Sequence, residues 1–229
     1  TEDEILASIR ELVTFLPGNN GMGGLTEDCA DDLNRASENL GTMKGDPRYV
    51  LSEIADDHIF FETKKDHAMD MVTGFIRLNG TTIGAVANCT EVYDEEGKKD
   101  KEFANVLSAK GCEKAAEFVN FCDAFDIPVL SLTNVKGYKA CMCAEKRLAK
   151  AISNASVPKV NLITGEAYGS AYVTMNSKSI GADLVYAWSE AKIGMMDAEL
   201  AAKIMYADAS ADVISEKAKE YDALQSSVL

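Results

Sequence analysis

The chain is poor in histidine, proline and tryptophan: two, four and one, respectively, in 229 residues. Two histidines, His58 and His67, leave few general bases and are too few to point to a zinc site. The six cysteines, Cys29, Cys89, Cys112, Cys122, Cys141 and Cys143, supply one close pair, Cys141-Met142-Cys143. A zinc-knuckle arrangement needs a second pair, and none is present. Buried thiols in a cytoplasmic protein are the plainer expectation. No run of about 18 apolar residues occurs, so no membrane span is expected. The first residues, Thr1-Glu2-Asp3-Glu4, lack the basic and apolar regions of a signal peptide. Positive charge is also scarce: 23 Lys and Arg against 37 Asp and Glu give −14. Phosphate binding needs a net basic face, so nucleic acid and anionic membranes are poor partners.

What is present is enough apolar residue, 47%, for one substantial core. Ile5, Ile9, Leu12 and Val13 place a helix over residues 3–15, ended by Leu16-Pro17-Gly18-Asn19-Asn20-Gly21. A polar, Gly-rich stretch runs on to about Lys44. Pro47 suits a first helical position, with the helix continuing to Ala55. Strands are expected at Ile59–Phe61, Met71–Leu78 and Thr81–Asn88, the last two joined by the hairpin signal Asn79-Gly80. Residues 91–103, with the acidic run Asp94-Glu95-Glu96, read as a solvated surface loop. Helix and strand then alternate: a helix at 111–125, a strand at 127–133, a helix at 144–155 and a strand at 159–164 ended by Gly165. A small-residue helix follows from Gly169, then strands near 184–187 and 192–194 and helices near 198–206 and 212–225. A hairpin followed by helix–strand crossovers predicts an α/β fold with a covered sheet. No repeat or linker divides the chain, so one domain is expected.

Two glycine turns lie where α/β proteins gather their sites, at the carboxyl ends of strands. The first is Thr164-Gly165-Glu166-Ala167-Tyr168-Gly169-Ser170-Ala171-Tyr172. Helix-start amides carry unpaired N–H groups and partial positive charge, and small residues let an oxygen approach them. That is oxyanion-hole geometry. The same small residues would equally allow tight helix–sheet packing. The second turn is Thr133-Asn134-Val135-Lys136-Gly137-Tyr138-Lys139, which also reads as an ordinary strand exit with Lys136 and Lys139 solvated. Ser170 lacks a Gly-x-Ser-x-Gly setting. Gly21-Met22-Gly23-Gly24 follows a helix and is no dinucleotide fingerprint. Asp56-Asp57 lacks calcium-loop spacing. Trp188 and the tyrosines suit core or interface roles.

Ordered segments along the chain carry a resemblance. They include Leu16-Pro17-Gly18-Asn19-Asn20, Gly74-Phe75-Ile76-Arg77-Leu78-Asn79-Gly80, and Ile83-Gly84-Ala85-Val86-Ala87-Asn88. Lys114-Ala115-Ala116-Glu117-Phe118-Val119, Cys122-Asp123-Ala124-Phe125-Asp126-Ile127-Pro128, Ala167-Tyr168-Gly169-Ser170-Ala171-Tyr172 and Gly181-Ala182-Asp183-Leu184-Val185-Tyr186-Ala187-Trp188 continue it. The chain resembles the C-terminal half of the carboxyltransferase component of biotin-dependent acyl-CoA carboxylases and decarboxylases, of the propionyl-CoA, methylmalonyl-CoA and glutaconyl-CoA type.

The resemblance implies a crotonase-like (ClpP/crotonase) β-β-α superhelix in a single domain over 1–229. Residues 1–48 would form a helix plus arm and 49–229 the core, with the family's last segment missing. It implies transfer of carboxylate between biotin and a short-chain acyl-CoA. The backbone N–H groups of Ser170 and Ala171 would hold the biotin ureido oxygen, with no metal. Gly137, Tyr138, Tyr168, Gly169, Tyr172 and Val173 would contact biotin or substrate. The implied partners are a CoA-binding N-terminal half, a biotin carboxyl carrier protein and further copies in a homo-oligomer. The chain departs from the family pattern at Ser170, where a second Gly is usual, and in a shorter loop after Gly137. Those departures keep open a non-catalytic assembly or binding subunit with the same fold. A stand-alone hydratase or isomerase would have only Glu166 and Glu199 as acids and ranks last.

Overall fold

A computed structural model describes residues 1–32, 34–37, 40, 45–94, 96–139 and 142–226. Lys44, Glu95, Ala140, Cys141 and the last residues, 227–229, lie outside the described residues.

The chain opens with α1 (Glu2–Phe15), started by a Thr1–Glu4 capping box. Its stripe does not seat as an amphipathic face should. Phe15 is buried, while Ile5, Ile9 and Val13 are each more than half exposed. The helix α2 (Pro47–Ile54) starts as expected, with Asp46 as N-cap and Pro47 in its first turn. Then come β1 (Phe61–Thr63), β2 (Met71–Leu78) and β3 (Thr81–Asn88). Asn79 and Gly80 both take positive φ, 52° and 76°, as a tight hairpin turn requires. The Asp56 carboxylate accepts from both their N–H groups, at 3.0 and 2.7 Å.

The expected loop at 91–103 is instead an antiparallel pair, β4 (Glu91–Tyr93) and β5 (Lys99–Glu102). Charge hid it, because β5 reads Lys-Asp-Lys-Glu and is exposed throughout. Its support is polar: Lys99 bridges Glu91, and Asp94 accepts from the turn amides of Glu96 and Lys98.

After β6 (Val106–Leu107) come α3 (Ala109–Ala124), β7 (Val129–Val135), β8 (Gly137–Tyr138), α4 (Met142–Asn154) and β9 (Lys159–Tyr168). Gly165 does not end β9; the strand runs through it to Tyr168. Then come α5 (Gly169–Thr174), β10 (Leu184–Ala187), β11 (Lys192–Gly194), α6 (Ala198–Met205) and α7 (Ala211–Tyr221), with short helical turns at Asp56–His58, Lys178–Ile180 and Asp222–Ser226.

A seven-stranded sheet has the order β1-β2-β3-β7-β9-β10, and β11 also pairs with β9. The hairpin strands are antiparallel; β3, β7, β9, β10 and β11 pair in parallel. The long β9 serves β10 with Val160–Ile163 and β11 with Glu166–Tyr168. A separate pair, β6 and β8, sets Val106 opposite Gly137 and Leu107 opposite Tyr138. Strand alternation splits the core between the sheet's two faces. Met71 and Phe75 join Phe118, Leu148 and Ile152 from the α3 and α4 side. Val72 and Ile76 join Val50, Leu51, Leu130 and Leu132 on the other. Cys89, Cys112 and Cys122 are buried as expected, whereas Cys143 is exposed and Cys29 only half-buried.

Candidate functional site

The carboxyl ends of β3, β7 and β9 bring together a polar network. Asn88 ends β3, and its Oδ1 accepts from the Asn134 N–H at 2.8 Å. The Asn134 carboxamide oxygen accepts from the Glu166 N–H at 3.0 Å and from Asn105 Nδ2 at 3.2 Å. Asn105 Nδ2 also reaches Glu166 Oε2 at 2.9 Å. This network explains Gly165. A Cβ there would stand 2.6 Å from Asn134 Oδ1, so only glycine lets the carboxamide reach the strand backbone. The β7–β9 register shifts between Thr133 and Val135, at the same place.

Lys136 is not a free solvated charge. Its Nζ lies 3.0 Å from Glu166 and 3.6 Å from Asp197. Burial lowers its pKa, but the hydrogen bond and charge of Glu166, with Asp197, outweigh that and leave it above the ordinary lysine value. Asp197 also caps α6, accepting from Glu199 N–H and Leu200 N–H. Glu166 is committed to Lys136 and Asn105, and Glu199 is exposed. The two acids nominated for hydratase chemistry are thus unlike a poised pair.

The first glycine turn follows directly. Gly169 has φ +56°, and a Cβ on it would lie 2.9 Å from Met195 O. The left-handed residue is Gly169, while Ser170 is absent from the positive-φ residues. A serine is thus compatible with the helical start. Tyr168 precedes α5 and provides no side-chain cap. The first amides of α5 have no intrahelical acceptor by construction. Ser170 and Val173 are exposed, Gly169 and Tyr172 half-buried, and Ala171 buried.

The second turn meets the first. Tyr138, aligned by β8 against β6, donates its hydroxyl to Ser170 O at 2.9 Å and touches the Thr174 hydroxyl. Gly137 sits beside it in β8, with open space where a Cβ would go. Tyr168 departs from this grouping. It is buried at the wall of a separate cleft of about 490 Å³, lined also by Glu166, Lys192, Asp197 and Asp222. Burial, with the negative charges of Glu166 and Asp222, pushes its hydroxyl up to about 12. Tyr172 packs against Ile163, Ala167 and Ala191. Sequence reasoning missed Asn88, Asn105 and Asn134. The available signal was an asparagine closing each of two apolar strand runs. Among the described residues, no cluster of three His, Cys, Asp or Glu is set to hold a metal.

Residues 1–228 match the carboxyl transferase domain family. The chain belongs to that family. This carboxyl transferase domain is 40% identical to a putative propionyl-CoA carboxylase beta chain of Bacillus subtilis, over 96% of this chain and 45% of that protein. It is 34% identical to the methylmalonyl-CoA carboxyltransferase 12S subunit of Propionibacterium freudenreichii subsp. shermanii, over 96% and 44%. The domain spans less than half the length of these relatives. Among solved structures it superposes on transcarboxylase 12S, described as a hexamer with hydrolysed methylmalonyl-coenzyme A bound. That match has a TM-score of 0.83 and 33% identity, covering 96% of this chain and 44% of the other. The fold is crotonase-like, and the chain corresponds to part of a carboxyltransferase, as the resemblance implied. No described helix is long and apolar enough to cross a membrane.

Proposed function

We propose that this chain forms the biotin-side half of a carboxyltransferase site, moving carboxylate between biotin on a separate carrier and a short-chain acyl-CoA. The observation that carries this is the turn at the end of β9. Gly169 takes the left-handed conformation, and the backbone then presents Ser170 and Ala171 at the start of an uncapped helix. A ureido oxygen fits such a turn, because small side chains flank it and two adjacent amides can serve one acceptor. Biotin, when bound, supplies the nitrogen that carries the transferred carboxylate. The Ser170 and Ala171 N–H groups would donate to the ureido oxygen as it gains charge. No side-chain nucleophile is required. Gly137, Tyr138, Gly169, Tyr172 and Val173 would shape the surrounding pocket, whereas Tyr168 faces the neighbouring cleft and would not contact biotin.

The reading makes this one domain over 1–229 that works with a CoA-binding N-terminal half, a biotin carrier and further copies of itself, in the cytoplasm. The buried thiols of Cys89 and Cys122 suit a reducing compartment. An N-terminal half would supply most CoA contacts, which suits a chain of net charge −14.

The test mixes the chain with a carboxyltransferase N-terminal half and follows methylmalonyl-CoA-dependent carboxylation of free biotin. Turnover is expected in the mixture and not from the chain alone. An inert mixture, with no perturbation of the Gly169–Tyr172 amides by millimolar biotin, would leave the assembly-subunit reading standing instead.

A further inference from the structure

Two hydroxyls converge on one peptide carbonyl beside the candidate hole. Tyr138 Oη lies 2.9 Å from Ser170 O, Thr174 Oγ1 lies 3.0 Å from the same oxygen, and the hydroxyls contact each other. Two hydroxyl protons serve three contacts. Every arrangement that gives each proton an acceptor within this trio places at least one on the Ser170 carbonyl. That carbonyl and the Ala171 N–H belong to the same planar peptide unit. A donor on the oxygen draws electron density from the nitrogen and makes the N–H a stronger donor. It also fixes the peptide plane, which sets where the N–H points. The anchor is firm, because Tyr138 is paired through β8 to Leu107, and the Lys139 N–H donates to Leu107 O at 2.8 Å. Thr174 is buried.

We infer that Tyr138 and Thr174 are positioning residues whose hydroxyls clamp the Ser170–Ala171 peptide and strengthen the Ala171 amide as a donor. This rests on the biotin-side function proposed above. Neither hydroxyl needs to touch a reacting atom.

The test uses the isotope-labelled full chain with Tyr138→Phe, Thr174→Val and the double variant. Tyr138→Phe keeps the ring, and Thr174→Val keeps the shape. The Ser170 carbonyl carbon and Ala171 amide nitrogen resonances should move upfield, least in the singles and most in the double. In the assembled enzyme, kcat for transfer should fall about tenfold in the double variant, below the loss expected for deleting a whole oxyanion donor. The KM for acyl-CoA should change less than kcat, since most CoA contacts would come from the N-terminal half. Resonances that do not move overturn the clamp. Resonances that move with unchanged kcat overturn its role in transfer. If the unmutated assembly is inert while the resonances still move, the proposed function has failed and takes this inference with it.

Discussion

Asn134 presses its carboxamide oxygen onto Gly165, 2.6 Å from where a Cβ would sit. The contact lets one side chain accept from the Glu166 N–H on β9 and from Asn105. Gly165→Ala should push the carboxamide off the strand and break both bonds. Overpacking of this kind costs about 1–3 kcal/mol. Urea denaturation should show a lower midpoint at unchanged slope. An unchanged midpoint would mean that Asn134 can move aside at no cost.

Gly169→Ala tests the turn itself. At φ +56° a side chain is strained, and here it would also meet Met195 O at 2.9 Å. The left-handed penalty alone is about 1–2 kcal/mol. For a chain of this size that corresponds to a fall in Tm of roughly 2–8 °C. Ser170→Gly should behave differently, since Ser170 is not left-handed. Its added backbone freedom should cost no more than about 1 kcal/mol. Thermal melts of the two variants separate the residue that needs glycine from the one that does not. Equal losses would contradict the assignment.

These cases also mark what could be read ahead of the structure. Asn79-Gly80, Pro47 and the helix start at Gly169 were legible because each depends on a residue's own φ preference. The β4–β5 hairpin was not, because Lys99-Asp100-Lys101-Glu102 has no buried face to impose alternation. Gly165 looked like a strand end because its reason lies in Asn134, 31 positions earlier in sequence and on another strand. Lys136 looked solvated for the same reason: Glu166 and Asp197 reach it only after β7, β9 and α6 are in place. The stripe on α1 was correctly periodic, yet periodicity says nothing of what covers it, and here Ile5, Ile9 and Val13 are exposed. In the candidate site, the amides of Ser170 and Ala171 were legible as helix-start donors among small residues, and the family resemblance assigned them to biotin. The tyrosine–threonine contact on the Ser170 carbonyl is a product of the β6–β8 register and was invisible in the sequence.

Arg48 ties α2 to the edge strand β1. Its guanidinium grips Glu62 with two bonds, 2.8 and 2.9 Å, and its backbone N–H donates to the Asp46 carboxylate at 3.0 Å. Both acids are almost fully buried. Arg48→Ala strands Glu62 in a poorly solvated place and should cost about 3–5 kcal/mol. A double variant, Arg48→Met with Glu62→Leu, removes both charges and should recover most of that loss. Equilibrium unfolding of the two variants decides the matter. If the double variant is as unstable as Arg48→Ala, packing of the guanidinium and not the stranded charge sets the cost.

Cys89 extends the same cluster into a pH dependence. Its Sγ lies 3.4 Å from an Arg48 guanidinium nitrogen and 3.0 Å from Glu91 O. Burial raises its pKa from 9.0 to about 11, against the lowering effect of Arg48. In this range the folded chain holds a proton that the unfolded chain has released, so unfolding is favoured as pH rises. The stabilisation is complete below pH 9 and is lost through about pH 11. Cys89→Ala should flatten the alkaline limb of the stability profile between those values. Thiol labelling below pH 9 gives a second readout. Exposed Cys143 should react first, and buried Cys89 and Cys122 only as the chain unfolds. Labelling of Cys89 at the rate of Cys143 in native conditions would show that the Arg48 cluster opens without global unfolding, and the alkaline limb would then report that opening instead.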